Sequence, residues 1–355
     1  MKLITILIAI HLFHFAALNA QTDNTKKFTF SMYGDAYYTH DFSNPIQREK
    51  SNFIYNHKRN QELNVNLLFL KAQYASKRFR ANAGMMTGNY ARYNLSSEPN
   101  WARYVYESNI GLRLSTSKNI WLDAGVMPSH IGFESVISAD CWTLTRSILA
   151  ENSPYYESGI RASYTSPNEK LLLAVFILNG WQRINPEGIV RRPSIGFQAT
   201  MKKSSEMTLH YANFIGQYHH DTIQTFRHFH NFFLQFESTG PWGLIGGFDI
   251  GQEKQQSGKF NTWYSPIIII RRKAGKKVVL ALRAEYFHDR KEIIIPTGTS
   301  NGFETLGISS NIDFNLHENI KIRMEGKLYQ SKDNLFDQGS SRQNYSLTTN
   351  VTLKL

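Results

Sequence analysis

Sixteen stretches in which polar and apolar side chains alternate run through this chain, joined by links that are by turns very short and longer. A period of two sends successive side chains to opposite faces of a strand, so each stretch has one apolar and one polar face. In the stretch 320–329, Ile320, Ile322, Met324, Gly326 and Leu328 share one face, and Lys321, Arg323, Glu325, Lys327 and Tyr329 share the other. The four charges cannot meet hydrocarbon, where each costs ~2–4 kcal/mol at mid-depth. They line a wet interior, and the apolar face meets lipid. Within a bilayer a sheet must also close, because an open edge would leave backbone groups without partners. The pattern therefore predicts an all-β fold, a transmembrane antiparallel β-barrel of about sixteen strands, between roughly fourteen and eighteen.

The ends of the chain agree with export. Lys2 and the apolar run Leu3–Leu18 lead to Leu18-Asn19-Ala20, which reads as a secretory signal peptide over residues 1–20, cut before Gln21. The run is shorter than the ~20 apolar residues that a spanning helix requires. Residues 21–355 then form a single barrel domain, with the outer membrane of a Gram-negative bacterium as its expected location. Mean hydropathy is −0.38, as a wall that is half wet demands. The 23 Phe and 18 Tyr supply interface girdles. A large soluble β-sandwich or propeller would share this composition, yet no repeat of blade length is present. Cys141, the single cysteine, excludes an internal disulfide and a cysteine-rich zinc site.

Turn formers punctuate the strands at Ser76-Lys77, Ser117-Lys118, Ser166-Pro167-Asn168, Lys203-Ser204, Ser238-Thr239-Gly240-Pro241, Ala274-Gly275 and Leu316-His317-Glu318. The longer links alternate with them, and both termini fall on the periplasmic side. The third strand is expected over 78–90 and the fourth over 105–115. Alternation turns Arg78, Arg80 and Asn82 inward on strand three, and Glu107, Asn109 and Arg113 on strand four. Asp123, Arg161, Arg283, Glu285, Asn311 and Asp313 follow by the same rule, and Lys321, Arg323, Glu325 and Lys327 complete the lumen set.

The formal net charge is +12. Lumen positions come out near balance, so the excess sits on links and turns such as Arg48, Lys50, Lys58, Arg59, Arg191, Arg192, Arg271, Arg272 and Lys273. Those cations suit head-group phosphates and lipopolysaccharide better than nucleic acid. His219, His220, Asp221, His228 and His230 gather at one hairpin tip. An interface belt with Phe226 and Phe232 accounts for them better than a metal site. No motif sets a nucleophile beside a base, so no enzyme activity is expected. Nothing in the chain calls for a cofactor.

The largest link, residues 129–155, follows the fifth strand. Ser138 or Asp140 is placed to cap a short helix through Ala150, with Pro154 stopping it. Such a helix is too short to stand alone in water, and the barrel interior is the nearest surface to pack on. The segment reads Ser129-His130-Ile131-Gly132-Phe133-Glu134-Ser135, Asp140-Cys141-Trp142-Thr143-Leu144-Thr145-Arg146-Ser147, then Glu151-Asn152-Ser153-Pro154-Tyr155-Tyr156. With Tyr33-Gly34-Asp35-Ala36-Tyr37-Tyr38 and Asn179-Gly180-Trp181-Gln182, it closely resembles the OmpL-like beta-barrel porin-2 family over most of the mature chain. That resemblance implies an outer-membrane barrel whose third loop folds into the lumen, with His130, Glu134, Asp140, Arg146 and Glu151 as constriction residues. Tyr345, Leu347, Val351, Leu353 and Leu355 alternate with polar residues. They resemble the terminal strand that the barrel-assembly machinery reads, with Leu355 in place of the usual aromatic. The expected function is a porin passing small hydrophilic solutes or ions by passive diffusion. The rival is a narrow or closed barrel acting as a surface adhesin or partner scaffold. A homotrimer is compatible with the apolar outer wall.

Overall fold

The structure, a computed structural model, describes residues 27–43, 45–186, 193–220, 223–254 and 258–355. The expected signal peptide (1–20) and Arg191 and Arg192 lie outside them. Sixteen strands follow in chain order. The first eight are β1 (Lys27–Asp41), β2 (Leu63–Ala75), β3 (Phe79–Thr87), β4 (Val105–Arg113), β5 (Asn119–Pro128), β6 (Tyr156–Thr165), β7 (Leu171–Leu178) and β8 (Ser194–Lys202). The second eight are β9 (Met207–His220), β10 (Ile223–Glu237), β11 (Trp242–Lys254), β12 (Phe260–Ala274), β13 (Val278–Asp289), β14 (Phe303–His317), β15 (Ile320–Ser331) and β16 (Gln343–Lys354).

Each strand pairs antiparallel with its sequence neighbours, and β16 closes on β1 with Tyr37 opposite Asn350. The expected sixteen-stranded antiparallel barrel is therefore what the chain forms. Closure leaves no edge. Short turns mark one end, and the links 42–62, 88–104, 129–155, 179–193, 290–302 and 332–342 mark the other. We call these the turn end and the loop end.

The outer wall shows why closure alone does not make the chain stable in water. Ile268, Ile270, Leu280, Leu282, Leu306, Ile308, Met324, Leu347 and Val351 stand exposed side by side across β12–β16. An apolar surface of this continuity requires lipid or a partner. Exposed rings border it at both ends: Phe28, Phe79 and Trp242 near the turns, and Phe42, Trp101, Phe226, Phe260 and Tyr345 near the loops. Leu282 lies opposite Ile270 and is 59% exposed. Leu282→Arg should cost ~2–4 kcal/mol of folding free energy in bilayer vesicles, read by urea titration. An unchanged midpoint would show that this face does not meet lipid.

Three expectations need correction. Strand β3 stops at Thr87 rather than running to Tyr90, and helix α1 (Asn89–Asn94) follows. The cause is Gly88 at φ 115, a left-handed geometry that ends the ladder. Strand β4 likewise ends at Arg113 rather than Ser115, as Leu114 turns to the tight link. Arg78 belongs to the β2–β3 turn, exposed, and not to the inward row of β3.

Register shifts matter inside. Between Asp35 and Ala36 the pairing with β2 slips, leaving Asn66 without a cross-strand partner residue. The slip between Gly84 and Met85 does the same for Tyr106, which stacks on Phe69 with ring centroids 4.1 Å apart.

Candidate functional site: the lumen wall and the third loop

Residues 129–155 contain Ser, Thr and Asn interspersed with Val136, Trp142, Leu144, Ile148 and Leu149. A buried segment of this kind must find partners for its backbone groups. It finds them on charged and amide side chains of β13–β15. The Thr145 N–H and hydroxyl donate to Glu325 at 2.6 and 2.9 Å. The Leu144 N–H donates to Asn311 at 2.9 Å, and the Ile148 N–H to Glu285 at 2.6 Å. Lys321 donates to the Ala139 carbonyl at 2.6 Å and Lys327 to that of Arg146 at 3.0 Å. Arg323 binds the Ser138 and Cys141 carbonyls while holding Asp313 at 2.7 Å.

Arg283 is the hub. It donates to the Thr143 hydroxyl and the Thr145 carbonyl, each at 2.8 Å, and pairs with Glu325 at 2.7 Å.

These bonds replace the expected single helix. A turn of 3₁₀ helix spans Ser138–Asp140, residues 141–147 are irregular, and α2 (Ile148–Glu151) is one turn long. The Ser147 hydroxyl caps α2 by accepting from the Ala150 N–H. Leu144 and Thr145 spend their backbone groups on the wall, so a helix from 138 to 150 cannot form.

Four of the five anticipated constriction residues are buried anchors. His130 sits between the Glu157 carboxylate (2.7 Å) and the Asn213 carbonyl (2.8 Å). Burial opposes its protonation, yet the Glu157 charge and hydrogen bond hold the imidazole above its ordinary value. Glu134 accepts from the Ser147 N–H and hydroxyl and lies 3.5 Å from Arg283. Arg146 is 1% exposed and donates to the segment's own carbonyls at Ser135 and Leu144. Glu151 accepts from the Tyr55 and Asn56 N–H groups, and burial pushes its carboxyl above the usual range against those bonds. Only Asp140 of the five keeps solvent contact, paired with Lys354 at 2.6 Å.

The opposite wall is different. Arg80 and Arg161 both grip Asp123, at 2.6 and 3.0 Å, while remaining 31% and 29% exposed. Lys71 pairs closely with Glu107, and Arg113 lies one row nearer the turns. Between this wall and residues 129–155 lies a cavity of about 270 Å³ lined by Tyr90, Tyr106, Tyr155, Tyr156, Glu134 and Asp140. Toward the loop end, Phe53, Ile54, Ile131, Ile148, Ile295 and Phe336 pack from four links onto wall residues such as Phe176, Phe229 and Trp263.

Sequence reasoning missed the role of link 42–62. His57 bonds Asp35 at 3.0 Å, and Ser138 donates to the same carboxylate at 2.9 Å. The inward row of β1 carried the one available signal, a carboxylate at Asp35. The histidine hairpin resolves as an outer belt: His230 meets the Tyr211 hydroxyl at 2.9 Å and His228 lies against Phe226 and Phe260. The His219 and His220 side chains and Asp221 lie outside the described residues.

The family model described as "Putative beta-barrel porin-2, OmpL-like" matches residues 27–355. The chain belongs to this family. No curated protein matches it. Among solved structures, this porin-2 family member is similar to an anion-selective porin from Comamonas acidovorans. The two share 10% identity over 93% of this chain and 100% of that one, at a TM-score of 0.63. Salmonella typhi OmpF in complex with daunomycin is similar at 7% identity, over 93% and 98% of the chains, with a TM-score of 0.60. OmpT from Vibrio cholerae, solved in a trimer form, gives 7% identity, 94% and 100% coverage, and a TM-score of 0.57. These likenesses establish the fold, and with the family they make the chain a porin-like β-barrel.

Proposed function

We propose that this barrel sits in the outer membrane, loop end outward, and passes small hydrophilic solutes or ions by passive diffusion. In this reading residues 129–155 fold into the lumen against β13–β16 and narrow it. The remaining path runs along the inner face of β2–β6, past Lys71, Arg80, Arg113 and Arg161. The observation that carries the reading is the contrast between the two walls. Arg283, Glu285, Arg323 and Glu325 are covered by the segment, whereas Arg80 and Arg161 keep nearly a third of their surface open. Water is the only medium in which such charges rest without further partners.

Lys71, Arg80, Arg113 and Arg161 outnumber Glu107, Asp123 and Glu157 along that strip, which favours anions over cations. Residues 1–20 direct export in this reading, the assembly machinery inserts the barrel, and lipid, lipopolysaccharide or further copies in a homotrimer cover its apolar wall. No catalytic role is assigned.

The test is single-channel recording from refolded residues 21–355 in a planar bilayer. Discrete ohmic steps, with reversal potentials displaced toward anions, are expected. Silence from protein shown to be folded and inserted would overturn the channel. It would favour the adhesin or scaffold reading, for which the apolar packing of Phe53, Ile131, Ile295 and Phe336 at the loop end is the supporting observation.

A further inference from the structure

Arg80 on β3 and Arg161 on β6 hold one carboxylate between them, that of Asp123 on β5. Each donates through its Nε and Nη2, and both Nη2 atoms lie on the same Asp123 oxygen, at 2.6 and 3.0 Å. Asp123 is 1% exposed beneath them, so the lumen meets the guanidinium groups and not the acid. The Nη1 of each arginine has no partner among the described residues and is not enclosed by protein.

The neighbouring rows fit this arrangement. Gly111 on β4 lies opposite both Arg80 and Asp123, and a Cβ there would collide with the Asp123 carboxylate and the Arg80 stem. Arg80 also lies over the Trp121 ring, 4.3 Å from its centroid, a contact that steadies a guanidinium without using its N–H groups. One row nearer the turns, Arg113 pairs with Trp121 in the ladder. Its Nε is buried without a partner, and its Nη2 reaches only the Lys118 carbonyl, at 3.5 Å. Toward the loop end, Gln73, Asn82 and Asn109 bond to one another in a neutral row, and beyond it Lys71 is cancelled by Glu107. Three guanidinium groups against one carboxylate leave two positive charges, with donors still unused.

We propose that Arg80, Arg161 and Arg113 form a saturable site in the lumen for a divalent tetrahedral oxoanion, a phosphoryl group or sulfate. A carboxylate carries one charge and two oxygens in a plane, enough for one guanidinium fork. A tetrahedral dianion gathers two charges on one centre and directs its oxygens to several donors at once. That matches unused N–H groups on separate side chains. The assignment rests on the channel reading and narrows it from anions in general to one class.

The test is chloride current through single mature barrels at pH 8, with sulfate, phosphate, glucose 6-phosphate, succinate or gluconate added. Sulfate and phosphate should reduce the current at concentrations several-fold below gluconate, and below succinate, whose two charges sit on separate ends. Block by glucose 6-phosphate equal to that by phosphate would make phosphate esters the solutes, and its absence would confine the site to inorganic oxoanions; either result keeps the site. Arg161→Gln leaves Asp123 held by Arg80 and should raise the half-blocking sulfate concentration several-fold. Arg161→Lys keeps the charge without the fork and should leave the block weakened, whereas Lys277→Gln, at the exposed β12–β13 turn, should change nothing. Calorimetric titration of sulfate into barrels in micelles separates the two readings: a silent barrel with heats that depend on Arg161 would overturn the channel and keep the site. A conducting barrel blocked equally by succinate and sulfate, or a sulfate block unchanged in folded Arg161→Gln, would overturn the site. Because the discrimination among anions is read on the unaltered chain, a failure of a variant to fold does not spare the proposal.

Discussion

Arg283→Met will cost the folded barrel about 3–5 kcal/mol, the penalty for leaving buried charges without their partner. The side chain is fully buried and answers Glu325 at 2.7 Å, Glu134 and Glu285 at 3.5 Å, and the oxygens of Thr143 and Thr145. Methionine fills similar space and supplies none of this. Three carboxylates then lose the guanidinium they share, while Lys327 stays paired with Glu285 at 3.0 Å. Urea titration in lipid vesicles reads the loss directly. Arg78→Met at the exposed turn is the control and should stay within ~0.5 kcal/mol. Equal midpoints for the two variants would show that the interior network contributes nothing to holding the barrel.

Excision of residues 133–152 will raise single-channel conductance several-fold. The flanks are ready to be joined, since the Ser129 N–H donates to the Tyr155 carbonyl at 3.0 Å and Pro128 lies opposite Tyr156. A short glycine-rich turn can bridge them. Removal exposes Arg283, Glu285, Arg323, Glu325 and Lys327 to water, and it takes away the Glu151 carboxylate that anchors Tyr55 and Asn56 of link 42–62. On the proposed reading, two obstructions are lost in one change. Conductance equal to that of the intact chain would refute the narrowing role of this segment.

The strand framework was legible because barrel wall and sequence period are the same object. Every second residue of 320–329 is charged or tyrosine, and Arg323, Glu325 and Lys327 are buried on β15. Turns were legible from their Gly, Pro, Asn and Ser content. The third loop was legible only as a long polar and apolar mixture. Its local signals, a capping serine and a distant proline, favour a helix. Its actual conformation is dictated by Glu325, Asn311 and Arg283, which lie more than a hundred residues away in sequence. The anticipated constriction residues met the same limit. Charge on a loop announces that a partner is needed, and not whether that partner is water or Ser147. The docking of Glu151 onto Asn56 joins two irregular links, and no periodicity encodes it.

The Ser138 hydroxyl lies against both sides of the barrel's closing seam, donating to Asp35 of β1 at 2.9 Å and meeting the Asn350 amide of β16 at 3.1 Å. Asn350 also donates to Asp35 at 2.7 Å. These three partners are fully assembled only after the last strand has found the first. Residues 129–155 are made long before β16, yet most of their wall anchors lie on β13–β16. Seam and segment are thereby fastened to each other: a barrel whose first and last strands part also loses the Asp35, Ser138 and Asn350 bonds that seat the segment.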